Sequence, residues 1–301
     1  MSNILDICKV CFTFGKPNFT IMKSNFLFPH KFRTIGWALF IPGFIIGVAW
    51  QLWQYEIPGF TLKLRDENTL FQPAYENFTN ELALALVVTG LLLTSFAREK
   101  VEDELIAKIR ANSLYWAILV GALVRLVFVL SGYFNAELFP PFALFFVPLL
   151  IFKFRYHYLI NRKDDIYALD NLYYLPKRPY RSIGIILSAF LISVIVYDVY
   201  NPLPSSDFLD ALANLTFLPL IAWVYSKEDK EDEFIALLRV QSMQSAVIVY
   251  YSILLIANIT LYSISFLYIV HFYMEITAII FLFAFNWQLR KYKVMQGGLA
   301  L

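Results

Sequence analysis

The chain has 301 residues, 59% of them hydrophobic and only 16% charged, against roughly 45–50% and about 25% in an ordinary soluble domain. That balance excludes a water-soluble globular protein. A formal net charge of +2, with the basic residues scattered between apolar runs, also excludes a nucleic-acid-binding surface.

In chain order, residues 1–25 read as a cytoplasmic segment without a cleavable signal pattern, so the first apolar run is expected to serve as an uncleaved insertion signal. Cys8 and Cys11 form one C-x-x-C there. Two thiolates supply half of a four-ligand zinc site, and no strand-to-helix context makes them a redox pair. An incidental or structural pair is the plain reading, with zinc or redox work shared between subunits as the functional one.

A membrane-spanning helix needs about 20 mainly apolar residues, fewer where flanking residues adapt. Eight stretches qualify, approximately 35–53, 80–97, 111–131, 138–155, 182–200, 208–225, 241–262 and 265–288. Pro42, Gly90, Pro148 and Pro219 fall inside them, which membrane helices tolerate when neighbours satisfy the freed backbone groups. With both termini inside, every Lys and Arg lies on the inner side except Lys63, Arg65 and the intramembrane Arg125. This bias predicts an N-in, C-in protein of a plasma membrane of the bacterial inner-membrane kind.

The chain also says nearly the same thing twice. Glu102, Asp103 and Glu104 precede Ile106, Ala107, Arg110, Ser113 and Ala117, and Glu231, Asp232 and Glu233 precede Ile235, Ala236, Arg239, Ser242 and Ala246 at the same spacing. A second echo, Phe32-Arg33-Thr34-Ile35-Gly36 and Tyr180-Arg181-Ser182-Ile183-Gly184, opens another apolar run in each half. The expected fold is therefore an all-α polytopic membrane protein of eight helices in two parallel four-helix repeats, residues 26–155 and 175–293. A cytoplasmic linker, 156–174, and a short tail, 294–301, complete the chain. An even number of spans inserts both repeats the same way up, so the pseudo-two-fold axis runs along the membrane normal, unlike that of inverted-repeat transporters.

Each acidic triplet starts a helix, where carboxylates complement the positive end of the dipole. Spacing puts Asp103 with Arg110, and Asp232 with Arg239, on one face two turns apart. The structural reading is a self-contained cap and anchor in each copy. The functional one is a pair of acidic clusters at the inner mouth, binding a divalent cation or lining an ion path. The metal, if any, is not specified by this pattern.

The costly residues inside the membrane are Arg125, Asn258, His271 and Glu275. At about 1.5 Å per residue, Arg125 and His271 each lie about 9 Å below the outer ends of their helices, and Glu275 about 15 Å below, near the midplane. A lone charge there costs at least about 2.5–3.5 kcal/mol, so Glu275 should be paired, protonated or facing water. These four form the candidate polar cluster, read either as a binding or proton-relay site or as a structural Arg125 to Glu275 pair. Glu81 and Asp210 occupy matching outer positions at helix starts, as caps or as a cation-attracting rim.

Enzyme signatures are lacking. Three histidines, His30, His157 and His271, form no H-E-x-x-H, and no G-x-S-x-G or phosphate-cradling loop occurs. Ser263 or Ser265 near His271 would be the sole nucleophile candidates for an intramembrane hydrolase. The chain is thus expected to be no enzyme and to need no cofactor, with the lipid bilayer as its medium. Two functions compete: transport of a small solute or ion, with proton coupling through His271 and Glu275, and a sensor or scaffold that recruits a cytoplasmic partner through the repeated acidic extensions. A continuous polar cavity at Arg125 and Glu275 favours the first, and a dry interior with an ordered charged end favours the second.

Overall fold

The computed structural model describes residues 27–63, 75–101, 103–130, 146–162, 172–200, 212–229, 232–261 and 263–298. Cys8, Cys11, Glu102, Glu231 and Asp210 lie outside the described residues. The helices are α1 (Lys31–Trp53), α2 (Thr79–Ser95), α3 (Glu104–Leu130), α4 (Val147–Asn161), α5 (Tyr180–Tyr200), α6 (Phe217–Val224), α7 (Glu233–Thr260), α8 (Ser263–His271) and α9 (Tyr273–Gly298). One short antiparallel ladder, β1 (Thr61–Lys63) against β2 (Tyr75–Asn77), lies between α1 and α2.

Among the described residues, four helices are long and apolar enough to cross a membrane: α1, α5, α7 and residues Glu104–Val127 of α3. The other expected spans are shorter among the described residues, at 17 residues in α2, 15 in α4 and 8 in α6. The last expected span, 265–288, is not continuous either. It is interrupted at Phe272, between α8 and α9, while Phe272 N–H still donates to Tyr268 O and Ile276 N–H to Phe272 O, at 3.0 and 2.9 Å. Apolar composition cannot reveal such a break, because apolar residues continue on both sides of it.

Helix starts follow from local chemistry. Asp103 and Asp232 do not wait for their arginines. Each carboxylate accepts the N–H of the residue three further on, Ile106 and Ile235, at 2.8 Å in both cases. That is the N-cap geometry, satisfying an amide that has no partner within the helix.

The packing places α1 against α2 and α5 against α6, α3 against α4 and α7 against α9. Further contacts join α2 to α4, α6 to α9, α2 to α7, α3 to α6 and α3 to α7. Only 17% of the apolar window of α1 or of α5 is buried, against 61% in α3 and 50% in α7. So α3 and α7 form the centre, and α1 and α5 turn outward with Ile41, Ile45, Ile186 and Phe190 exposed. In a bilayer such faces meet lipid tails without cost, which an aqueous solvent would not permit.

Glycine makes the outer helices fit. A Cβ on Gly36 would lie 2.8 Å from the Gly90 carbonyl, and one on Gly184 would lie 2.9 Å from the Pro219 carbonyl. Backbones thus approach as small residues allow in membranes.

Candidate functional site

A buried polar contact joins α3 to α9. Arg125 Nη1 donates to Glu275 Oε2 at 2.6 Å and Nη2 to Oε1 at 2.9 Å, a bidentate pair. Both residues are buried, at 3% and 6% relative exposure. The long arginine side chain spans the difference of about 6 Å in depth expected from chain position.

Local folding prepares the carboxylate's place. Glu275 stands in the first turn of α9, after the break at Phe272, and the backbone amides of Glu275 itself and of Phe217, the first residue of α6, also act on its carboxylate. Two helix N-termini and one guanidinium therefore converge on this side chain. The guanidinium lies 4.7 Å from the Phe217 ring centroid and 5.8 Å from that of Tyr273, whose hydroxyl donates to Gly121 O at 3.3 Å. Aromatic faces take up part of the cation's lost hydration.

The remaining cluster members fare differently. His271 is half-buried within Coulombic reach of Arg125, its ring edge-on to Phe272 at 4.9 Å between centroids. Asn258 instead uses its side-chain amide to hold α2, donating to Glu81 O at 2.9 Å. The Glu81 position thus joins α7 to the start of α2 through its backbone.

A cavity of about 30 Å³ is bordered by Ile118, Met243, Val247, Tyr250, Met274 and Phe281 among others, but by neither Arg125 nor Glu275. Its walls are overwhelmingly apolar, and it has room for only one or two waters.

The charged end of the bundle is more elaborate than spacing predicts. Arg110 Nη2 reaches Ala97 O at 3.5 Å, while Arg239 donates to Val224 O at 2.8 Å and Ser226 O at 3.1 Å. Both arginines are almost wholly buried. They cap the carbonyl ends of α2 and α6 and their following turns, a role expected of cations at helix C-termini. Arg110 also stands over the Tyr156 ring, and Arg239 over Tyr174 and Phe285. In these contacts each arginine side chain reaches across the bundle to a neighbouring element, while the acid two turns earlier caps its own helix start.

Ion pairs tie the preceding turns to α1 and α5: Arg33 to Glu99 and Arg181 to Glu228, each at 2.5 Å. Lys177 bonds Asp229, and that hydrogen bond holds the Asp229 carboxyl below its usual range. Sequence reading missed Arg33, Glu99, Lys153 and Glu228 as site residues. The Phe32–Gly36 echo was the available signal for the first, since an arginine occupies the same place in both copies.

Separate roles for cap and arginine give a direct prediction. Asp232→Ala should lower stability by about 1 kcal/mol through loss of the cap, and Arg239→Ala by about 2–3 kcal/mol because two carbonyls lose their donor. Equilibrium unfolding in detergent should find the two losses additive within about 0.5 kcal/mol. A larger coupling would return the guanidinium to its own acid.

Among the described residues no group of three or more His, Cys, Asp or Glu is placed to hold a metal ion. Compared with known protein families, curated proteins and solved structures, the chain shows no match. Function must therefore be argued from the geometry alone.

Proposed function

We propose that the protein is an eight-span integral membrane scaffold, built from two four-helix repeats with both termini cytoplasmic, whose charged inner end recruits a cytoplasmic partner. The duplication reading is supported by contacts that recur at corresponding positions. Arg33 with Glu99 matches Arg181 with Glu228; Arg110 with Ala97 matches Arg239 with Ser226; the stacked rings of Phe152 and Tyr156 match those of Phe281 and Phe285.

One observation favours the scaffold over transport. The two intramembrane charges neutralise one another by a bidentate contact, and neither of them lines the apolar cavity enclosed in the bundle. A pathway for ions needs groups that face water and exchange partners. At the inner end, by contrast, Glu104 and Glu233 are exposed on capped, ordered helix starts. They offer a rigid surface that a partner can read.

Transport keeps one specific point in its favour: His271 lies within Coulombic reach of the buried pair, and an ionisable group at such depth is a proton-relay candidate. Two measurements separate the readings. Photo-crosslinking side chains placed at Glu104 and Glu233 should capture the same protein in intact cells, while one at Gly59, in the exposed turn before β1, should not. Proteoliposomes of the purified protein should show no flux of protons or small cations above protein-free vesicles. Flux that Glu275→Gln abolishes, with no shared crosslinked protein, would establish transport instead.

A further inference from the structure

The half-buried Lys153, on α4, is a cation of the charged end to which the proposed function gives no role. Its ammonium makes one hydrogen bond, to Thr94 O at 3.0 Å, and lies 5.8 Å from the Trp37 ring centroid and 6.0 Å from that of Tyr156. Within Coulombic reach are Arg33, Arg110 and Glu99. Lys153 thus shares its surroundings with two guanidinium groups and one carboxylate, and that carboxylate is engaged at Oε2 by Arg33 and at Oε1 by the Tyr156 hydroxyl, at 2.5 and 3.2 Å. Among the described residues the carboxylate that acts on Lys153 is Glu99, at Coulombic range.

Partly desolvated positive charge in excess calls for an anion. The place specifies which kind. Trp37 is 40% exposed on the outward face of α1, one turn beyond Arg33, whose side chain is 36% exposed. Lys153 reaches the same face from α4, across α2. A tryptophan and two cations at the end of a bilayer-facing helix match the headgroup level, where indole rings and basic side chains anchor. At the corresponding position of the second half stands Leu282, so the feature belongs to the first half alone.

We propose that Lys153 and Arg33, flanked by Trp37, bind the phosphate of an anionic phospholipid in the leaflet at the charged end of the bundle. This depends on the chain's residence in a bilayer and not on what its inner end recruits. The lipid's negative phosphodiester completes the charge balance of the cluster, and its tails lie along the exposed faces of α1.

The test uses the full chain in nanodiscs of phosphatidylcholine, with or without phosphatidylglycerol, and reads retained lipid by native mass spectrometry. Wild type should retain phosphatidylglycerol in preference to phosphatidylcholine. Lys153→Leu should weaken that preference by about fivefold, the equivalent of about 1 kcal/mol for one basic residue at a membrane surface. Arg155→Gln should keep it, because Arg155 is engaged elsewhere, with Asn112 and Trp116. A wild type that does not discriminate overturns the proposal without any variant, as does equal retention by Lys153→Leu. Inorganic phosphate that competes the lipid away at millimolar concentration would make the site one for a free anion and overturn the lipid assignment. A failed crosslinking experiment at Glu104 and Glu233 leaves these outcomes unchanged, so the two proposals fail separately.

Discussion

Glu275→Gln should destabilise the protein by about 3–5 kcal/mol, because it leaves the Arg125 guanidinium charged, buried and without its counter-ion. Arg125→Leu alone should cost a similar amount by stranding the carboxylate between two helix starts. The informative variant is the double one. At the positions corresponding to Arg125 and Glu275, the other half of the chain has Leu254 and Phe146, both buried in the apolar core at 0% and 2% exposure. Arg125→Leu with Glu275→Phe should therefore recover most of the lost stability, since replacing a buried ion pair by packed apolar groups is often neutral or favourable. Equilibrium unfolding of the four proteins in detergent gives the coupling directly. If Glu275 instead exchanges protons with solvent, Glu275→Gln keeps the stability of the wild type, and the structural role assigned to the pair is wrong.

The second large effect is expected where α1 crosses α2. A Cβ on Gly90 would sit 2.7 Å from the Gly36 carbonyl oxygen and 2.7 Å from the Phe40 amide nitrogen, both backbone atoms that cannot rotate away. Gly90→Ala gains roughly 1 kcal/mol of helix propensity, yet the clash should reverse the sign and leave a net loss of about 1–3 kcal/mol. Gly90→Val should lose more and free α1 from α2, detected as protease cleavage between them. Gly121 supplies the control: a Cβ there meets the flexible end of Met274 at 3.0 Å, so Gly121→Ala should be neutral or stabilising. Equal damage at both sites would show that glycine acts by something other than close approach.

These predictions also mark how far the residues alone reach. Composition and apolar run length sufficed for a helical membrane protein, because lipid leaves the backbone no other partner than itself. Depth along a helix sufficed to bring Arg125 and Glu275 to mutual reach, since rise per residue is constant. The caps at Asp103 and Asp232 were equally legible, being contacts over three residues that any helix start reproduces.

Rotation of one helix against another was not legible, and it decided the rest. Asn258, at the depth of the ion pair, turns to the carbonyl of Glu81 instead. Arg110 and Arg239, placed by spacing above their own acids, cross to carbonyls at the ends of α2 and α6. Lys153 looked like one more inner-side cation until packing set it among Trp37, Tyr156 and Thr94. Periodicity leaves such choices open when polar residues gather on no single face, as in α2 and α4, because nothing then marks which side turns inward. By itself the sequence determined class, repeated motif and the caps at Asp103 and Asp232, all of them local along the chain. Which groups meet depended on the contacts of α1 with α2, α3 with α4 and α9, and α7 with α2, since only the assembled bundle sets the direction of a side chain across a helix interface.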